Sequence, residues 1–182
     1  RSLNSAMLRE KGLQVFSPLG DVHIVPKLVT TAELSERFDL IILSCKAYDL
    51  ESAMEDIAPA LQENSVILPL LNGLRHIDVL AARFGSERVL GGVVQAALQV
   101  TSAGEIRHFN RTHRLTTGSR GIPPSPWLHE LGRLLSATGV DFVLADDIEQ
   151  SMWNKFVFWS ALAGATCTLR ANIGIILQTV SG

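Results

Sequence analysis

Cysteine is scarce: the 182-residue chain has two, Cys45 and Cys167. They stand far apart and fit no CxxC or Cys/His ligand spacing, which excludes a disulfide framework and the common zinc modules. A reducing, cytoplasmic setting is the default for such a chain. Excess positive charge is missing as well. Sixteen Lys and Arg face 18 Asp and Glu, for a formal net charge of −2, and no dense basic block is present, so nucleic acid is not an expected partner. Nor is a membrane: the longest tempting apolar stretch, Phe156 to Leu169, has 14 residues, short of the roughly 20 that span a bilayer. The histidines (His23, His76, His108, His113 and His129) never fall at metal-ligand spacing on a helix, so no metal is expected. Ser151 and Ser160 sit in no GxSxG elbow, which leaves a serine hydrolase without support. The "GSRG" stretch has neither a strand before it nor a Lys-Ser/Thr after it, as a phosphate loop would. There is no repeat, no signal peptide and no initiator Met, and "RSLNSAML" reads as the later part of a helix, as in an internal piece of something longer.

What is present is a globular composition, 47% hydrophobic and 19% charged, without the low hydrophobicity that marks disorder. The first helix runs to Gly12, a C-terminal stop, and "LQVFS" and "DVHIV" read as a hairpin across "PLG". Thr31 is placed to cap a short helix, "AELSERF", and "DLIILSCKA" reads as a strand buried on both faces. "DLESAMEDIAPALQ" is helical, with Leu50, Met54, Ile57 and Leu61 on one stripe. "SVILPLL" is a second strand, with Pro69 suited to its end. "GLRHIDVLAARFG" is a helix stopped by Gly85, and "RVLGGVVQAALQV" is a third apolar strand region. Strands alternating with helices at this spacing predict βαβ units and an α/β fold with helices on both faces of a parallel sheet. Beyond it, "GEIRHF" and "HRLTTG" read as strands of a meander, with His108 and His113 able to face each other across the pair. "GSRGIPPSP" is a loop, "WLHELGRLLSATG" a helix and "VDFVLAD" a last strand, and from Asp147 on the chain is helical. The expected domain boundary lies at Ala145 and Asp146, separating residues 1–145 from 146–182.

In open parallel sheets ligands bind beyond the carboxyl ends of strands. Lys46 ends one apolar strand, and Asn72 followed by Gly73 ends the next. A lone Lys surfacing into water and an Asn-Gly turn are ordinary by themselves; at equivalent ends of successive strands they also suit a shared site. Lys155 opens an apolar helix that reads as a core helix, with Trp159 and Leu162 one and two turns on. It has two readings. It can snorkel to solvent and pair with Asp146, Asp147 or Glu149, or it can border a dry cleft where desolvation lowers its pKa and makes it a general acid.

The ordered set "LSCKAYD", "LPLLNG", "RVLGGVVQAA" and "MWNKFVFWSALAGATCTLRANIG" resembles the ketopantoate reductase family, the NADPH-dependent 2-dehydropantoate 2-reductases. The resemblance runs from Arg1 to about Gly174, and "WNKF" with "RANIG" is its most specific part. It implies a Rossmann-type doubly wound sheet, incomplete here, that holds NADP(H). It further implies the start of an all-helical substrate and dimerisation domain and an active site between the two. The implied reaction reduces 2-dehydropantoate to pantoate, a step of pantothenate biosynthesis, and a homodimer is implied as well. Lys155 takes the place of the family's catalytic lysine, which protonates the carbonyl oxygen as hydride arrives. The resemblance gives cofactor-binding roles to Arg1 (the 2′-phosphate), Lys46, Asn72 and the backbone at Ala97. The family's opening strand and GxGxxG loop would precede Arg1, so the 182-residue piece alone is expected not to turn over.

Three positions depart from the family pattern. Trp159, Ala163 and Ile173 stand where the family often has Asn residues that bind the substrate's carboxylate and hydroxyl. Apolar side chains cannot hydrogen-bond a small polar acid. Two alternatives therefore stand beside the pantoate reaction: a reductase for a different 2-oxo acid, and a diverged, non-catalytic NADP-binding protein on the same scaffold.

Overall fold

The structure is a computed structural model that describes residues 2–120 and 126–179. Helix α1 (Ser2–Lys11) ends where Gly12 takes φ 69°, a left-handed conformation that glycine reaches without a Cβ clash. Strands β1 (Leu13–Phe16) and β2 (Val22–Ile24) pair antiparallel, as the hairpin reading requires. The short helix expected over "AELSERF" is one 3₁₀ turn, Thr31–Glu33. Its cap is Thr30 rather than Thr31: the Thr30 backbone N–H donates to Glu33 Oε2 at 2.9 Å, one half of a capping box.

Strand β3 (Phe38–Leu43) runs parallel to β4 (Leu61–Pro69), with α2 (Leu50–Ile57) between them. Two expectations are corrected here. Leu61 begins β4 instead of ending the helical stripe, because Pro59 lies in a tight turn after α2 that the helix cannot run through. β3 is not buried on both faces either: Ile42 is 49% exposed, since among the described residues β3 pairs with β4 alone and stands at an edge. Helix α3 (Arg75–Phe84) then leads through Gly85 to Val89, which makes a parallel bridge to Ile67.

The chain continues as β5 (Gly91–Val100), antiparallel to β6 (Ile106–Gly118). The two meander strands are in fact one 13-residue strand, so His108 and His113 do not face each other: they sit opposite Leu98 and Ala96. On the edge away from β5, β6 also pairs in parallel with β1 near its start, at Ile106 and Arg107, and with β7 (Asp141–Leu144) near its end, at Arg114 to Thr117. The α/β class holds, with a mixed sheet of parallel and antiparallel strands in place of a purely parallel one. The Pro-rich loop falls largely at 121–125, outside the described residues.

Alternation along β4 builds two layers. Successive strand side chains point to opposite faces, so Ile67 joins a cluster with Leu50 and Met54 of α2 and Ile77 and Leu80 of α3. Its neighbour Leu68 joins Leu90 and Leu128 of α4 (Pro126–Ser136) on the other side. Ile67, Leu68, Leu80 and Leu128 are each fully buried.

Helix α5 (Ile148–Leu169) begins at Asp147, whose side chain accepts from Gln150 N at 2.9 Å. Its first turns are in the core through Ile148 and Met152, but Trp153, Val157, Phe158 and Trp159 are half or more exposed. It is thus not the all-round core helix that its composition implies, because only its opening residues reach the sheet. Helix α6 (Ile173–Leu177) follows, capped by Asn172, whose side-chain oxygen accepts from Ile175 N at 2.9 Å. No helix among the described residues is long and apolar enough to cross a membrane.

Candidate active site

The contact that organises this region is between glycine and helix. Gly91 begins β5 under the first turns of α5, where an added Cβ would lie 2.5 Å from Ile148 Cγ1 and 3.0 Å from Met152 Sδ. Gly92 faces the end of β4, where a Cβ would lie 2.7 Å from the Pro69 carbonyl oxygen. The Gly-Gly pair therefore lets α5 and the end of β4 approach the same strand closely. Thr117 of β6, fully buried, donates its hydroxyl to Gly91 O at 2.7 Å and ties the strand down from the other side.

That approach brings Lys155 to β5. Its Nζ donates to Val94 O at 2.9 Å, which occupies one of the three ammonium donors. The lysine is half-buried, and burial pushes its amine below the ordinary value near 10.5. Two of the three acidic partners that a snorkelling lysine would use are engaged elsewhere: Asp147 caps α5, and Glu149 pairs with Arg120 at 3.0 Å.

A cleft of about 1010 Å³ opens beside this contact. Four of the five expected site residues line it: Lys46 just past β3, Asn72 just past β4, Ala97 on β5 and Lys155 on α5. The fifth, Arg1, lies outside the described residues. A smaller cavity of about 30 Å³ adjoins and shares Asn72, Val93, Lys155 and Trp159 with the cleft. Ala97 sits in a β-bulge, where the β5–β6 register shifts between Ala96 and Leu98, and its N–H donates to Asn110 Oδ1 at 3.4 Å. Bulges commonly re-aim a strand beside a site.

The sequence gives no site role to Asn110, His108 or His76. Asn110 lines the cleft, and its Oδ1 accepts from His108 Nε2 at 3.1 Å. Thr112 O also accepts from that nitrogen, at 2.9 Å, so the proton is on Nε2 and Nδ1 accepts from the Ser17 hydroxyl at 2.9 Å. This network links β1 to the bulge. No local pattern announces it, since its members are 91 positions apart.

His76, in the first turn of α3, is buried at 4% exposure and its Nε2 has no hydrogen-bond partner. Burial lowers its pKa from about 6.5; Asp78 opposes the shift and the Lys155 charge adds to it. The unfolded chain therefore takes up a proton near pH 6.5 that the folded chain accepts only at lower pH. Stability is full above that value and is lost as pH falls through the window below it. Urea midpoints measured at about pH 7.5 and about pH 5.5 should fall with pH in the parent, and fall less in His76→Gln.

The family model described as "Ketopantoate reductase PanE/ApbA" matches residues 1–121. The chain belongs to the ketopantoate reductase family. "Uncharacterized oxidoreductase YkpB" of Bacillus subtilis is 33% identical over 182 residues, covering 100% of this chain and 60% of its own length. The 2-dehydropantoate 2-reductase of Porphyromonas gingivalis W83 superposes with a TM-score of 0.86 at 28% identity, over 100% of this chain and 63% of that one. A D-mandelate dehydrogenase with NADH and anilino(oxo)acetate superposes at 0.87 with 23% identity, over 100% of this chain and 58% of that one, a likeness of fold. The chain thus spans about 60% of the length of the relatives it matches. The family is one of oxidoreductases.

The lining fits a nicotinamide cofactor. The cleft has the volume for a ligand of that size, presents cationic and amide side chains at Lys46 and Asn72, and ends at a desolvated amine.

Proposed function

We propose that a protein containing this chain at the full length of its relatives reduces the C2 carbonyl of a 2-oxo acid with NADPH, in the cytoplasm. 2-Dehydropantoate, reduced to pantoate for pantothenate biosynthesis, is the first substrate to test. The observation that carries this reading is the half-buried Lys155, hydrogen-bonded to β5 in a cleft shared with Lys46 and Asn72. Lys46, Asn72 and the backbone at Ala97 would hold the cofactor, with Arg1 on its 2′-phosphate. Residues 1–145 form the cofactor domain in this reading, and 146–182 begin the helical domain that completes the substrate site and a homodimer.

NADPH, when bound, supplies hydride to C2. The chain's own contribution is at the oxygen. Lys155 donates a proton to the carbonyl oxygen as negative charge builds there, and its remaining positive charge before transfer stabilises that charge. The hydrogen bond to Val94 O holds the amine in place.

Because the acid form is needed, kcat/KM should be level at neutral pH and fall as pH rises through the lysine's pKa. Burial brings that fall to lower pH than the 10.5 of a free lysine. NADPH oxidation followed across alkaline pH with the full-length protein tests both the reaction and the lysine. A second reading, a non-catalytic NADP-binding protein, is favoured by Trp159, Ala163 and Ile173 alone. It predicts NADPH binding without oxidation by any 2-oxo acid.

A further inference from the structure

Resting on the reductase reading, we infer that Asn110 is a further cofactor-binding residue, donating its side-chain N–H groups to an oxygen of the nicotinamide riboside half of NADPH, with His108 as the residue that positions them. The strand register places Asn110 at the cleft. Between paired positions, the two-residue step from Ala96 to Leu98 on β5 faces the five-residue step from His108 to His113 on β6, so residues 109–112 of β6 bulge out of the ladder opposite Ala97. Asn110 and Thr112 of this bulge line the cleft alongside Lys46, Asn72 and Ala97. His108, itself buried, closes the bulge: its Nε2–H is shared between Thr112 O at 2.9 Å and Asn110 Oδ1 at 3.1 Å.

The two ends of a carboxamide are told apart by what they face. Ala97 N–H can only donate, at 3.4 Å, and His108 Nε2 carries its proton because the Thr112 carbonyl can only accept. Both meet the same end of the Asn110 side chain, which is therefore the oxygen. The nitrogen end keeps two N–H groups, and no acceptor among the described residues meets them. Asn110 is exposed, so water takes these donors in the free protein, and an acceptor on a bound ligand takes the place of that water. Lys155 sets which part of the cofactor is within reach. Hydride must leave the nicotinamide ring beside the carbonyl that Lys155 protonates, and Lys155 is bonded to Val94 O, on the same strand as Ala97 and about 10 Å before it at ordinary strand rise. The acceptors joined to that ring, its carboxamide and its ribose, are those that Asn110 meets; the adenosine end is not.

The readout is binding rather than turnover. In the full-length protein NADPH affinity is followed by the cofactor's fluorescence, and that of adenosine 2′,5′-bisphosphate, which lacks the nicotinamide riboside, by titration calorimetry. Asn110→Ala should weaken NADPH by about threefold to tenfold, the worth of one hydrogen bond exchanged with water, and leave the bisphosphate unchanged. Asn110→Asp keeps an oxygen for Ala97 N–H and His108 but has no donor, and should weaken NADPH at least as much as Asn110→Ala does; its bisphosphate affinity reads any repulsion by the new carboxylate separately. His108→Phe should weaken NADPH in the parent and add nothing in the Asn110→Ala background, since its effect runs through that amide. Denaturant midpoints establish that each variant folds, and the exposed Asn110 variants serve if His108→Phe does not. Parent-like NADPH affinity in Asn110→Ala, its recovery in Asn110→Asp, or an equal loss for the bisphosphate in Asn110→Ala overturns the inference and leaves the reductase reading standing. A full-length parent that binds no nicotinamide cofactor overturns both.

Discussion

Lys155→Ala in the full-length protein should lower kcat for 2-oxo acid reduction by about a hundredfold to ten-thousandfold, the usual range for loss of a positioned general acid. NADPH should still bind, because the lysine's hydrogen bond is to the carbonyl of Val94 and the expected cofactor contacts at Lys46, Asn72 and Ala97 lie just past β3, just past β4 and on β5. Lys155→Arg is the informative companion. It keeps a cation beside Val94 but gives up its proton far less readily, so it should bind NADPH as well and recover little of the rate. Rapid mixing of enzyme, NADPH and oxo acid, read at the cofactor's absorbance, separates the two effects. A kcat within a few-fold of the parent's for Lys155→Ala would remove the lysine from the chemistry. Joint loss of binding and rate would make it a structural residue.

The second large effect is on stability. Gly91→Val should destabilise the fold by about 1–3 kcal/mol, the common cost of forcing atoms into a packed contact. A Cβ at that position already lies 2.5 Å from Ile148 Cγ1 and 2.8 Å from its Cγ2, and valine adds two methyl groups. Ile148 is 1% exposed and Met152 5% exposed, so neither side chain has room to withdraw, and α5 itself must shift. Because Lys155 is on the next turn of that helix, the variant should also weaken the Nζ to Val94 O contact. Gly164→Ala is the control. It lies in the same helix with nothing within 4 Å of an added Cβ, and should be neutral or stabilising by up to about 1 kcal/mol. Denaturant midpoints of the three proteins decide the matter. Equal midpoints for Gly91→Val and the parent would mean that the sheet and α5 are not in tight contact.

Much of the site was legible one strand at a time. Lys46 and Asn72 end apolar runs, and a strand's end is visible in composition because the chain leaves the core there; both residues do line one cleft. "RVLGGVV" reads only as an apolar strand, and the close approach that its two glycines permit became visible with the elements packed against them. Lys155 could be read two ways, since a lone charge at the start of an apolar helix says nothing about which element lies across from it. The apolar length of α5 suggested burial all round, yet Trp153 and Phe158 are more than half exposed. Composition reports a side chain's preference, not whether a neighbour is there to cover it.

The sequence by itself determined the α/β class, most of the helices and strands with their turns at Gly12 and Gly85, and the family. Each depends on short-range periodicity, on local turn chemistry or on quoted motifs. Only the tertiary structure decided that β6 is one strand that pairs with three others, that Ala97 lies in a bulge tied to Asn110 and His108, and that Lys155 meets Val94 instead of an acidic neighbour. These are contacts between residues tens of positions apart. They depend on how closely two backbones can approach, which here is set by the missing side chains of Gly91 and Gly92.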